Sequence, residues 1–413
     1  MDAIVLADDP LSRVRIAGLT ACERAVRVAK RAGAERVVVV EDRAQLAGFT
    51  SPHVLVIRAD QLVHTPLVKD LAVADGFAIA VEDSTYAGAL VARDAKASEI
   101  IGKLRDGAKD ADLVAGAARV AAGPIARHAI ATPEERRAAH KLLYKILIKP
   151  QDNAITRYLY RPVSFPLTQL LAWTPITPNQ ISLLVGILVA IGCWLTAHES
   201  FAYAIAGTST VLFASYLDCC DGEIARVKLL SSKYGAWIDT IIDELSSIGY
   251  MAALGYHCHL HYGPTYFGDL GFDPWLAAIA FGVVTYGLAI YGIYYCIIVA
   301  VGSANSQDYA GTFDVLPGAA PDRVRLVPKQ AIGRSKPLPP WLDVLATYLP
   351  YVVRRDFISW GATILAIAHL TQVSFAIQVA GGLVTAPIVL IDHIKLRHLR
   401  AALLRDGKTI ESP

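Results

Sequence analysis

The chain has 413 residues, 54% of them hydrophobic and 18% charged, with a formal net charge of +2 and a mean hydropathy of +0.41. That length accommodates two domains, and the balance points to a membrane protein with a soluble part. The near-neutral total contains no basic block interleaved with aromatics, so nucleic acid is not an expected partner. Charged residues crowd the first 160 positions, and long apolar runs fill the rest. The six cysteines (22, 193, 219, 220, 258 and 296) show no CxxC spacing and read as small hydrophobes without a disulfide framework.

Met1-Asp2-Ala3-Ile4-Val5-Leu6 opens directly into a strand-like run, so the N-terminal part is expected in the cytoplasm. Residues 1–130 are expected to form a small cytosolic α/β domain of Rossmann-like type. Strand-like runs lie at 3–7, 36–40, 53–58 and 76–81, with a clear helix over 20–32. Such alternation suggests a parallel sheet with helices on both faces. After the first strand comes Leu6-Ala7-Asp8-Asp9-Pro10-Leu11-Ser12-Arg13. This stretch resembles the glycine-rich loop LAAGxGxR of nucleotidyltransferase domains. Arg13 and Gly18 fit, and Asp60 stands where such domains often hold a metal-binding aspartate. Asp9 and Leu11, however, replace the two glycines whose bare backbone would cradle a triphosphate. Asp8 and Asp9 repel phosphate, and Pro10 removes a backbone donor. The domain is therefore expected to have lost nucleotidyl transfer and to keep a structural, regulatory or docking role, with Asp60 a loop or cap aspartate.

Residues 131–170 read as a basic amphipathic linker. Thr132-Pro133-Glu134-Glu135 is a helix start, with a capping residue, an early proline and acids at the positive end of the dipole. Arg136, Arg137, Lys141, Lys145 and Lys149 then alternate with apolar residues, a pattern suited to the plane of an anionic membrane surface.

Residues 171–400 are expected to hold six membrane helices, near 178–197, 201–227, 232–257, 274–301, 352–370 and 372–395, followed by a cytosolic tail at 401–413. The links at 198–200, 258–273 and 370–372 contain no Lys or Arg. The opposite side carries Lys228, Lys233, Arg323, Arg325, Lys329 and the basic tail. Positive-inside then predicts a multi-pass protein of the inner (plasma) membrane with both termini cytoplasmic. His257-Cys258-His259-Leu260-His261 falls on the far side and reads as a polar loop.

The chemistry concentrates between Asp218 and Asp243. Asp218 and Asp221 are spaced i,i+3 and Asp239 and Asp243 i,i+4, so each pair projects from one helix face. Carboxylates at membrane depth are costly and mark functional sites. Asp221 and Asp239 fall roughly 10–14 Å from the turn near 229–232 at 1.5 Å per residue, which places the two pairs at similar depth in the cytoplasmic half. Divalent cations would relieve their repulsion, and hard oxygen ligands suit Mg²⁺, Mn²⁺ or Ca²⁺ over zinc. Gly222 and Gly235 leave room for a bulky ligand beside the helix backbones.

The pattern D-x2-D-G-x2-A-R-x8-G-x3-D-x3-D, filled by Asp218, Asp221, Gly222, Ala225, Arg226, Gly235, Asp239 and Asp243, resembles the signature of the CDP-alcohol phosphotransferase family. The resemblance implies two Mg²⁺ or Mn²⁺ ions clamping a pyrophosphate. Asp218, Asp221, Asp239 and Asp243 would be metal ligands, and Asp243 also the catalytic base. Gly222, Ala225, Arg226, Gly235 and Asn179 would bind CDP, the last from the Thr177-Pro178-Asn179 start of the first span. The alternatives are an N-cap for that start and an interfacial arginine for Arg226. Arg161, Arg354 and Arg355 are candidates for an acceptor phosphate, or membrane anchors. The linker resembles that of fused nucleotidyltransferase–phosphotransferase enzymes making inositol phosphodiesters. The expected reaction transfers a phosphoalcohol group from a CDP-alcohol, with CDP-diacylglycerol favoured, to a hydroxyl acceptor such as an inositol phosphate, releasing CMP in phospholipid biosynthesis. The family also implies a homodimer in the bilayer. Two rivals stand beside this reading: a bifunctional enzyme with an active N-terminal cytidylyltransferase, and a non-enzymatic cation-binding transporter.

Overall fold

The structure is a computed structural model describing residues 1–148, 155–302, 308–318, 320, 322–329 and 355–411. The chain divides into two units, and the division is not linear. Unit 1 comprises Met1–Asp152, Phe165–Ile176 and Glu223–Leu230; unit 2 comprises Asn153–Ser164, Thr177–Gly222 and Ser231–Pro413.

Unit 1 is built on a sheet from β1 (Asp2–Leu6), β2 (Arg36–Val40), β3 (His53–Arg58), β4 (Ala78–Glu82), β5 (Thr85–Arg93) and β6 (Ala118–Ala121), in the order β2-β1-β3-β5-β4-β6. The period-two alternation of these strands supplies two cores. Ala3, Val5, Leu55, Ile57 and Val91 face α1 (Ala21–Arg31) through Ala25, Val28 and Ala29. Ile4, Val54, Val56, Leu90 and Ala92 form the opposite face with Ile100, Ile101 and Leu104 of α2 (Asp94–Arg105). Thr20 caps α1 in a reciprocal box with Glu23, which sets where the helix begins.

The sheet is mixed, a correction to the parallel expectation. β1 runs parallel to β2 and β3, but β5 runs antiparallel to both β3 and β4. The cause is local: Asp83 and Ser84 both take positive φ (48° and 64°) between the paired Glu82 and Thr85, a two-residue turn that closes a hairpin.

The loop after β1 folds into a 3-10 turn, Pro10–Arg13, rather than an open cradle. Leu11 N donates to Asp9 Oδ1 at 2.8 Å, and Ser12 N donates to the Asp9 carbonyl at 3.0 Å. Gly18, at φ +79°, serves packing: a Cβ there would meet the Ala172 carbonyl oxygen at 1.8 Å.

The α3 helix (Pro133–Lys145) begins at the predicted Thr132–Glu135 capping box, with Glu135 N donating to Thr132 Oγ1 at 3.2 Å. Its apolar face is committed to protein: Ala139, Leu143, Tyr144 and the following Leu147 are buried with Ile16, Ala21, Leu62 and Val227. Arg137, Lys141 and Lys145 stay exposed. The surface-lying role expected for this stretch is thus limited to its basic side, because its hydrophobic stripe is already covered.

Arg24 on α1 is fully buried, and its three guanidinium nitrogens have no hydrogen-bond partner among the described residues. Burial pushes it down to about 10. Its folded-state value lies below the unfolded one, so the cost is full below pH 10 and is relieved only as pH rises through 10. Arg24→Met is therefore expected to raise folding stability by roughly 1–4 kcal/mol. Thermal unfolding of the full-length variant checks this, and a lowered Tm contradicts it.

In unit 2, α5 (Pro178–Thr196), α6 (Phe201–Val227), α7 (Lys233–Tyr262), α8 (Pro274–Cys296), α9 (Arg355–Ile367) and α10 (Thr371–Arg405) make up most of the described chain. The α6 helix begins here and ends in unit 1. α5 packs on α7, and α8 on both α7 and α10. Among the described residues, three segments are long and apolar enough to cross a membrane: Pro178–Thr196, Pro274–Val301 and Thr371–Arg405. The α6 and α7 helices have the length, at 27 and 30 residues, but carry the acidic cluster. His257 to His261 lies within α7 and not in a loop, a correction to the sequence reading.

Beyond the last turn of α6, the Leu229 N–H donates to the Arg226 carbonyl at 3.2 Å and the Leu230 N–H to that of Ala225 at 2.8 Å. Leu229 takes φ +55°, the left-handed stop of a Schellman end, and its side chain is buried in the unit 1 core. Lys228 Nζ donates to the carbonyls of Thr174 and Ile176 at 2.6 and 3.2 Å, and Arg27 donates to the Lys228 carbonyl at 2.6 Å. Lys228, read from sequence only as a positive-inside marker, thus holds together the stretches from which unit 1 is assembled.

Candidate active site

Helix geometry brings the acidic pairs together. Asp218 and Asp221 sit one turn apart on α6, and Asp239 lies nearly two turns into α7, whose start is fixed by Ser232 Oγ accepting from Gly235 N at 2.9 Å. One carboxylate oxygen each from Asp218, Asp221 and Asp239 falls within 4.8 Å of the others. Asp221 is buried, and Asp218 and Asp239 are half-buried. Asp243 is one turn farther along α7 from Asp239 and stands outside this trio.

Ser182 on α5 was not singled out in the sequence. It is buried, and its hydroxyl donates to Asp221 Oδ2 at 2.6 Å. That bond fixes one carboxylate oxygen and orients the other. The available signal was a serine inside an apolar run, one turn after Asn179. Asn179 itself, on the first turn of α5, lies against α7: a Cβ at Gly235 would stand 3.0 Å from Asn179 Oδ1. Glycine at 235 is what lets the two helix starts approach.

Gly222 follows Asp221, and Ala225 and Arg226 lie one turn farther along α6, both half-buried. Glu223, at a variable position of the motif, is fully buried and accepts from the Thr168 hydroxyl at 2.5 Å within unit 1. Arg161 is buried at the start of α4 (Arg161–Ala172). Arg354 and the side chain of Arg355 lie outside the described residues.

The donor set fits a hard divalent cation: three carboxylates supply only oxygen, and one is braced by a hydroxyl. Cys220 does not compete, because its thiol points to the carbonyls of Tyr216 and Ser164 at 3.4 and 3.6 Å. The three histidines near the α7 end are each engaged elsewhere, His257 with the His198 carbonyl, His259 with Asp273 and His261 with the Glu199 carbonyl.

Ser182→Ala should weaken divalent-cation affinity about 10–100-fold, the usual cost of losing an orienting partner of a metal ligand, with the fold intact. Titration with Mn²⁺ followed by paramagnetic resonance reads this, and unchanged affinity would remove Ser182 from the site.

Residues 175–316, which hold all four aspartates, match the family described as CDP-alcohol phosphatidyltransferase. Three curated relatives carry the name bifunctional IPC transferase and DIPP synthase. The Aquifex aeolicus protein is 33% identical over 168 residues, 40% of this chain and 36% of its own length. Those of Thermococcus kodakarensis and Rubrobacter xylanophilus are 33% and 34% identical over 126 and 113 residues, 30% and 27% of this chain. The matches span 28% and 25% of these two relatives' lengths, so each covers well under half of the relative.

Proposed function

Because the chain carries a CDP-alcohol phosphatidyltransferase domain over residues 175–316, we propose that it transfers a phosphatidyl group from CDP-diacylglycerol to the hydroxyl of an inositol phosphate, releasing CMP. The observation that carries this reading is the convergence of Asp218, Asp221 and Asp239 within the matched segment.

In the proposed step the acceptor hydroxyl oxygen bonds to the lipid-linked phosphorus. The phosphorus–oxygen bond to CMP breaks, the hydroxyl proton passes to the Asp243 carboxylate, and CMP leaves with the electron pair. Asp218, Asp221 and Asp239 would hold the divalent cations, Mg²⁺ or Mn²⁺, which supply charge stabilisation to the pyrophosphate and the leaving group. Gly222, Ala225, Arg226, Gly235 and Asn179 would receive the CDP moiety, and Arg161, Arg354 and Arg355 the acceptor phosphate. Ser182 holds Asp221 in its ligating orientation.

The N-terminal domain is proposed to transfer no nucleotide. Supporting this, the amides of Leu11 and Ser12 are consumed by Asp9, so they are not offered to a phosphate. Asp60 is ion-paired with Arg58, which also pairs with Asp110, so it is spoken for as a ligand. The membrane domain is proposed to span an inner membrane six times, α6 and α7 included, with both termini cytoplasmic, and to work as a homodimer.

The test is product identity. Radiolabelled inositol phosphate incubated with CDP-diacylglycerol, Mg²⁺ and the purified chain should yield a lipid-extractable label. Label appearing only with CDP-inositol as donor would overturn the lipid donor. CTP-dependent pyrophosphate release by the full chain would overturn the inactive N-terminal domain.

A further inference from the structure

Within unit 2 a cavity of about 270 Å³ lies among α5, α6, α7, α8, α9 and α10, with Asp218 on its wall. Val185, Val189, Val211, Met251, Ile290 and Ile377 make it largely apolar, but polar groups interrupt it. Glu244, the residue after Asp243, lines it and is held by two hydroxyls. Tyr286 donates to Glu244 Oε2 at 2.9 Å and Tyr294 to Oε1 at 2.8 Å. Two further polar residues, Tyr250 and Gln378, line the cavity, Tyr250 being only 5% exposed. The Tyr250 hydroxyl and Gln378 Nε2 are buried with no hydrogen-bond partner among the described residues.

We propose that this cavity is the seat of the acceptor's polyol, with Glu244 accepting from its hydroxyls and Tyr250 and Gln378 donating to them. This rests on the reading of the chain as a CDP-alcohol phosphotransferase. A carboxylate has about four lone-pair sites, so two tyrosine donors leave Glu244 with capacity for hydroxyl donors. Tyr250 and Gln378 offer the complementary donors, and a group that both donates and accepts is a hydroxyl. An acyl chain in the same space would leave the tyrosine hydroxyl and the amide buried and unsatisfied. The volume equals that of about nine waters, the scale of one small polyol. Asp218 on the wall puts this space beside the three-carboxylate cluster. Glu244 is thus a specificity-determining residue that leaves the proton transfer to Asp243.

The test uses the full chain in lipid nanodiscs. Glu244→Gln and Tyr250→Phe should each raise KM for the inositol phosphate about tenfold or more, while KM for CDP-diacylglycerol stays within about twofold. A rise in the donor KM that depends on acyl-chain length would assign the cavity to a lipid chain and overturn the proposal. Unchanged acceptor KM in both variants would also overturn it, with the proposed reaction left standing. If the wild-type chain releases no CMP, thermal stabilisation by myo-inositol decides the point separately. Stabilisation of wild type that is lost in Glu244→Gln upholds the polyol site without the reaction, and no stabilisation of either protein rejects it.

Discussion

Asp243→Asn is expected to lower turnover by about 10²–10⁴-fold, the usual worth of a positioned general base, while divalent-cation affinity changes by no more than a few-fold. The split follows from position. Asp239 and Asp243 share one face of α7 at i,i+4, but only Asp239 joins Asp218 and Asp221 within 4.8 Å. Asparagine keeps the shape and removes the basicity, so the pocket survives and the proton loses its destination. Steady-state CMP release read beside Mn²⁺ titration separates these terms. A large loss of cation affinity in Asp243→Asn would make it a ligand in the first place and leave the base unassigned.

Asp239→Asn should show the reverse order of effects. Removing one of three clustered carboxylates is expected to weaken cation binding by on the order of 100-fold or more, beyond the 10–100-fold cost of losing an outer partner such as Ser182. Activity should fall with it and recover partly at high Mn²⁺. The removal also relieves repulsion within the trio, so the apo protein should become more stable to heat while the added stabilisation by Mn²⁺ shrinks. Retention of full Mn²⁺ stabilisation would mean that the trio is not the cation site.

Both predictions rest on features readable from sequence, and the reason is geometric. Spacings of three and four on a helix fix which side chains share a face, so the acidic pairs could be placed before any tertiary contact was known. The apolar runs of β1 to β4 were legible for a similar reason, since a buried strand needs little beyond its own residues. What escaped depends on partners far along the chain. The Thr85–Arg93 strand closes on its neighbour through a two-residue turn of positive-φ Asp83 and Ser84, neither of which is glycine. The periodicity of α3 announced an apolar face but not that Ile16, Leu62 and Val227 cover it. Ser182 and Glu244 gained meaning only when Asp221 and two tyrosines were found against them. Lys228 looked like one cation among many until the carbonyls of Thr174 and Ile176 came within its reach.

The central claim is that the aspartate cluster drives CMP displacement from a CDP-alcohol. Its most direct test is CMP release by the purified full-length chain from CDP-diacylglycerol, with and without inositol phosphate, in the presence and absence of Mg²⁺ or Mn²⁺. The account predicts release that requires both the acceptor and the metal, at one CMP per lipid product, and that is lost in Asp239→Asn. Release of CMP that persists without the metal, or that is untouched in Asp239→Asn, would contradict it.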